Sequence, residues 1–194
     1  MVEQSLRKRE VGGSSPSTGT SLPLELKFAL AIASIVAYTV LTQVGEALEA
    51  AGRLPNAGRW MHYLVGAAFG ALVMAPYARA PHRLVRGVAL AVASAIIYHV
   101  AVRFVVDGPI GYDAIIAFVL AGAGAAVLTA AAVVLIGPQA YGARLLACVL
   151  AAGAVGGAAF ELKLAFDPGL IVGHAAWQVL VCLAVHFGLR PAPT

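Results

Sequence analysis

Six of the polar side chains inside the long apolar stretches of this sequence, where water cannot solvate them, form a candidate site. They are His62, His99, Arg103, Glu161, His174 and Gln178. An ionisable group in hydrocarbon costs several kcal/mol and usually marks a binding site or an internal pair. Their positions along the apolar stretches put all six in the same half of the membrane. The sequence therefore predicts an outward-facing polar His/carboxylate cavity that binds or passes a small solute or a lipid.

Three of these residues could also bind a metal. Neutral imidazole and carboxylate are ordinary zinc ligands, so His62, His99 and His174 form an alternative zinc site. Zinc with one open position would supply hydroxide for hydrolysis beside the lipid. Facing histidines could instead hold a haem, or the polar side chains could simply decorate the membrane interface. We expect no metal and no other cofactor, and the sequence identifies no catalytic residue.

The stretch GHAAWQ, residues 173–178, resembles the GHxxWH segment in the last helix of the alkaline ceramidase-like superfamily of intramembrane hydrolases. In that family the two histidines of the segment bind zinc, and further ligands come from earlier helices. The resemblance implies a ligand role for His174. The second histidine is replaced here by Gln178, a poor zinc ligand, and the family has seven spans where this chain has six apolar stretches.

The composition identifies the class of protein that must position these side chains. Of 194 residues, 61% are hydrophobic and only 11% are charged. A soluble domain carries about 25% charged residues, so this chain has too little polar surface to remain dispersed in water. The net charge of +4 is spread over short loops, which argues against nucleic-acid binding. The remaining class is an all-α, multi-pass membrane protein.

Six stretches are long enough to cross a bilayer, which needs roughly 20 apolar residues per helix. They run approximately Leu24–Val44, Trp60–Tyr77, Val85–Val106, Ala114–Ile136, Ala143–Leu162 and Leu170–Leu189. The predicted organisation is a disordered tail over residues 1–22, a six-helix transmembrane domain over 23–190 and a short C-terminal end over 191–194. The tail is rich in Gly, Ser and Thr and has no apolar periodicity.

The basic residues orient the bundle, because cytoplasmic loops carry an excess of lysine and arginine. Nine lie on the side of the tail: Arg7, Lys8, Arg9, Lys27, Arg79, Arg83, Arg86, Arg144 and Arg190. Four lie on the opposite side: Arg53, Arg59, Arg103 and Lys163. We therefore expect an inner or plasma membrane location with both termini in the cytoplasm.

An internal repeat is suggested by residues 29–40 (ALAIASIVAYTV) and 89–100 (ALAVASAIIYHV). Most of the aligned positions are identical or nearly so, and they include the pairs Ser34/Ser94 and Tyr38/Tyr98. The alternative is a chance alignment of alanine-rich helices. If the repeat is real, the fold consists of three helical hairpins of about 60 residues.

Small residues and tryptophans give further expectations about packing. Gly66-x-x-x-Gly70 and Gly153-x-x-x-Gly157 are motifs that let helices approach closely, so they predict tight pairs and allow a helix–helix oligomer. The fifth helix has little side-chain bulk and is expected inside the bundle. Trp60 and Trp177 are expected to anchor the outer interface.

Two functional classes remain open at this stage. We favour a non-enzymatic membrane subunit whose partners are the bilayer and a small solute or lipid. The alternative is a small metal-dependent hydrolase that acts inside the membrane at the outer leaflet.

Overall fold

The computed structural model describes residues 22–79, 81–107, 114–137, 141–164 and 169–189. Over these residues the chain is almost entirely helical, which confirms the all-α prediction. The α-helices are α1 (Leu24–Ala50), α2 (Ala57–Phe69), α3 (Arg83–Val106), α4 (Ala114–Ile136), α5 (Ala143–Ala158) and α6 (Gly169–Gly188). The predicted tail and C-terminal end lie outside the described residues, except for Leu22.

Five of these helices are long and apolar enough to cross a membrane. They correspond to the first, third, fourth, fifth and sixth predicted spans, of which the fifth and sixth extend slightly beyond the ends of α5 and α6. In hydrocarbon a helix is favoured because it satisfies its own backbone hydrogen bonds. The second predicted span is a composite element, since α2 has only 13 residues. It continues through a π-helical turn, Gly70–Met74, and a 3-10 turn, Ala75–Tyr77.

The helices form a ring in which each packs against its neighbours in sequence, and α6 closes against α1. Neighbours run antiparallel. On α1 and α6, for example, Lys27 contacts His186 near one end and Tyr38 contacts His174 farther along. The bundle has two ends. The Asp107 end is the one where α3 terminates, and the Pro23 end is the one where α1 begins.

Glycines set the closest helix approaches, as the two small-residue motifs predict. A Cβ on Gly70 would lie 2.5 Å from the Ala91 Cα of α3. A Cβ on Gly153 would lie 2.5 Å from the Gly122 carbonyl oxygen of α4, and one on Gly157 would meet the Phe118 carbonyl. The predicted close packing is confirmed at both motifs.

Two expectations about burial are wrong. Within the described part of the chain, helix α5 packs mainly against α4, α6 and the 3-10 turn that follows it, and it exposes Leu146 and Val155. The most enclosed of the five spanning helices is α6. Its Trp177 is buried, and the indole Nε1 donates a hydrogen bond to the Gly122 carbonyl at 3.1 Å. This tryptophan is a core residue, and Gly156 of α5 packs directly against it, since a Cβ there would lie 2.6 Å from the Trp177 Cα.

Candidate functional site

His174 lies at the centre of the candidate site, where aromatic rings from three other elements enclose it. Its imidazole stacks on Tyr38 of α1, with ring centroids 3.8 Å apart and planes inclined by 10°. Tyr98 of α3 and Phe160 of the 3-10 turn Ala159–Leu164 meet it edge-on, each with a centroid distance of 5.2 Å. The residue is only 4% exposed. Packing therefore fixes the imidazole ring in one orientation.

The imidazole of His174 lacks hydrogen-bond partners within the described part of the chain. Neither Nδ1 nor Nε2 has one there. A buried polar group without a partner costs about 1–3 kcal/mol, and such groups are rare in folded proteins. A neutral imidazole offers one donor and one acceptor. His174 can thus bind a ligand that carries a carbonyl or a hydroxyl group.

A cavity of about 270 Å³ lies beside His174, between α3, α4 and α6. Its polar lining residues are Tyr38, His62, Ser94, Tyr98, Thr129 and His174. The other lining residues are apolar and include the aromatic side chains of Phe69, Phe118, Phe160 and Trp177. No lysine, arginine, aspartate or glutamate of the described ranges lines it. The cavity is therefore mainly apolar and carries no fixed charge, unlike the His/carboxylate cavity that the sequence predicts.

The cavity is elongated along the helices. On α3 it extends from Ser94 to Val106, a distance of about 18 Å at 1.5 Å per residue. Ser94 and Thr129 are buried and mark the deep end. Val106 is 69% exposed, so the cavity opens to the surface near the Asp107 end, between α3 and α4.

Two of the six predicted site residues line this cavity, namely His62 and His174. His62 of α2 meets the ring of Tyr98 edge-on, with centroids 6.2 Å apart. His99 is not a lining residue. It stacks on Tyr63 of α2, with a centroid distance of 4.2 Å and an interplanar angle of 13°.

The other three predicted residues also lie outside the cavity lining. Arg103 forms a salt bridge with Asp107 at the end of α3, where both side chains are close to half exposed. Glu161 lies in the 3-10 turn, and its Oε1 is buried without a partner among the described residues. Gln178 is buried one turn from His174, and its Oε1 likewise has no partner there. The structure therefore separates a surface ion pair from the buried polar groups.

Sequence reasoning missed the aromatic part of the site. Tyr38, Tyr98 and Phe160 surround His174, and Trp177 lines the cavity. One signal in the sequence could have found two of them. Tyr38 and Tyr98 occupy equivalent positions in the two similar segments, and both contact the same histidine.

A second buried group of polar residues lies at the Pro23 end. Lys27 is only 5% exposed, and its Nζ lies 2.9 Å from Nδ1 of His186. The amine also lies 4.6 Å from the centroid of the Tyr77 ring. Lys27 is one of the nine basic residues counted on the side of the tail, and in the structure these partners hold its side chain inside the bundle.

The described residues contain no group of three or more His, Cys, Asp or Glu side chains arranged to hold a metal. Cys148 and Cys182 are free thiols. The chain matches no protein-family model, and no curated protein or solved structure is significantly similar to it.

Proposed function

We propose that this protein is a non-enzymatic, multi-pass membrane protein that binds a small, uncharged and mainly apolar molecule in the cavity between α3 and α4. The observation that carries this proposal is the pairing of an apolar cavity with His174, whose two ring nitrogens are buried and unpartnered in the described part of the chain. Apolar walls would hold the body of the ligand, and His174 would bind its one polar group.

The lining argues for a ligand without charge. A buried ion needs an opposite charge or several strong hydrogen bonds to offset its desolvation. The described lining offers histidines, tyrosines and two hydroxyl groups, Ser94 and Thr129, but no carboxylate, ammonium or guanidinium. A neutral lipid fits this surface better than a phosphate ester, a fatty-acid anion or a metal ion.

The dimensions argue for a ligand with an extended part. A volume of about 270 Å³ is near the lower end of the range for small-molecule sites. The same cavity reaches the surface at Val106, so a longer molecule could leave its tail in the surrounding lipid. The ligand could then enter from the bilayer itself.

The membrane arrangement belongs to the same proposal. We place all six helical elements across a cell membrane, with the composite α2 shielded by its neighbours and both termini in the cytoplasm. Nine basic residues on the side of the termini against four on the other side support this orientation. The shared contact of Tyr38 and Tyr98 with His174 supports a duplicated hairpin.

Fluorescence quenching tests the proposed binding. The chain has two tryptophans, and Trp60 is 60% exposed. A Trp60→Phe variant therefore leaves Trp177, inside the cavity, as the only reporter. We expect a short-chain brominated monoacylglycerol, which is neutral, to quench Trp177 saturably, and the brominated fatty acid of equal length to quench it far less.

Two matched substitutions on α4 control this experiment. Ala121→Phe fills the cavity and should abolish quenching, because Ala121 is a lining residue. Ala131→Phe adds the same ring on the exposed face of the same helix and should leave quenching unchanged. Equal quenching by the neutral and the anionic probe, or equal quenching in both variants, would contradict the proposal.

A further inference from the structure

The walls of the cavity and the chemistry of His174 indicate which class of molecule the cavity binds. We propose that the ligand is a lipid-soluble quinone or its quinol, with the ring in the cavity and the apolar tail directed out past Val106. This inference rests on the proposed function, because it names the ligand of the same cavity.

The first argument is the shape of the lining. Four apolar aromatic surfaces, those of Phe69, Phe118, Phe160 and Trp177, line a single cavity of about 270 Å³. Aromatic rings prefer offset-stacked or edge-to-face contact with another ring. A planar ring gains these contacts, whereas a flexible acyl chain gains only burial of apolar area.

The second argument is the hydrogen-bonding capacity of His174. A neutral imidazole has one N–H donor and one acceptor nitrogen, and both are unpartnered among the described residues. The N–H can donate to a quinone carbonyl oxygen, and the other nitrogen can accept from a quinol hydroxyl. His174 can therefore bind either form while the stacked ring of Tyr38 keeps its orientation fixed. His62 lines the same cavity and is available for a second oxygen of the ligand.

The third argument is charge. Quinones and quinols are neutral, and they suit a lining that has no lysine, arginine, aspartate or glutamate side chain in the described ranges. Their tails are apolar and partition into the bilayer. The opening at the exposed Val106, between two helices that are apolar enough to span a membrane, suits such a tail.

The test uses the full-length Trp60→Phe protein in lipid nanodiscs, with decylubiquinone and menadione as probes. Quinones quench tryptophan fluorescence at close range, and Trp177 lines the cavity. We expect saturable quenching of Trp177 by both quinones. His174→Phe should weaken binding about three- to tenfold, the equivalent of one lost neutral hydrogen bond. It places a slightly larger flat ring against Tyr38 and removes both ring nitrogens.

His99→Phe is the matched control. His99 also stacks on a tyrosine but does not line the cavity, so binding should stay within about twofold of the parent. Non-saturable quenching by quinones, or equal affinity in the His174→Phe and His99→Phe variants, would overturn the inference. If His174→Phe folds poorly, the Ala121→Phe variant provides a second test. Quinone affinity that survives this cavity-filling change would also overturn the inference.

The brominated monoacylglycerol separates the two proposals. Saturable quenching by this lipid without saturable quenching by either quinone would overturn the quinone assignment and leave the proposed function standing. Failure of the lipid and of both quinones would overturn both.

Discussion

The phenol ring of Tyr38 lies flat on the imidazole of His174, with centroids 3.8 Å apart and planes 10° apart. These residues belong to the first and the last helix of the ring, so their contact helps to close it. The same imidazole is in edge contact with Tyr98 and Phe160. His174 thus has a structural role through its ring and a separate binding role through its nitrogens.

Substitution at His174 should separate these two roles. His174→Ala removes a buried ring and should lower the free energy of unfolding by about 2–5 kcal/mol, as large-to-small core changes do. His174→Phe puts a slightly larger flat ring in the same place and removes two polar atoms that are unpartnered in the described part of the chain, so stability should stay within about 1 kcal/mol of the parent or rise. Equilibrium unfolding in detergent measures both. A loss in His174→Phe as large as that in His174→Ala would mean that the nitrogens do have partners.

The spacing of α4 and α5 depends on Gly122. A methyl group there would meet the Gly153 carbonyl and lie 2.8 Å from the Gly157 Cα. Backbone atoms cannot move aside cheaply, so Gly122→Ala should destabilise the protein by about 1–3 kcal/mol. Gly124 lies on the same helix with nothing within 4 Å of a Cβ. Gly124→Ala should be neutral or stabilising by up to about 1 kcal/mol, and equal effects of the two changes would refute the packing described here.

Lys27 and His186 should be energetically coupled, because their nitrogens lie 2.9 Å apart and the Lys27 side chain is buried. Lys27→Met and His186→Phe each remove one partner of this pair. In a double-mutant cycle on unfolding free energy, the combined change should be less than additive by about 0.5–3 kcal/mol. A cycle with Lys27→Met and His99→Phe provides the control. Strict additivity in the first cycle would show that the pair does not form.

The proposed orientation follows from nine basic residues on one side and four on the other. A reporter fused after Thr194 should be active only in the cytoplasm. Replacing the basic residues Arg79, Arg83 and Arg86 with glutamine should produce a mixed population, because this change weakens the charge bias. Activity of the fusion on the outer side in the unaltered protein would reverse the orientation.

Hydropathy was enough to predict most of the fold. Five predicted spans coincide with spanning helices, because the length of an apolar run and the need to satisfy backbone hydrogen bonds in lipid are local properties. The composite second element was not predictable in this way. Its π turn, Gly70–Met74, lies in close contact with α3. The residues of α3 that make this contact are distant in sequence, so hydropathy along the chain does not indicate it.

The candidate site was only partly predictable, since sequence gives the depth of a residue along a helix but not the direction it faces. Depth alone placed His99 and His174 together, whereas the structure stacks them on different tyrosines. Depth also suggested a surface role for Trp177, which is buried against Gly122. The pairing of Lys27 with His186 joins opposite ends of the chain, and no local pattern encodes it.

Photolabelling tests the central claim, that a neutral lipid-like molecule binds between α3 and α4, most directly. The protein in nanodiscs is irradiated with a diazirine-bearing monoacylglycerol, and the adducts are mapped by mass spectrometry. The account predicts adducts concentrated on cavity residues within 94–106 and 118–129, reduced by excess unlabelled monoacylglycerol and absent in Ala121→Phe. Adducts spread over exposed residues such as Ile32 and Val36 of α1, without competition, would contradict it.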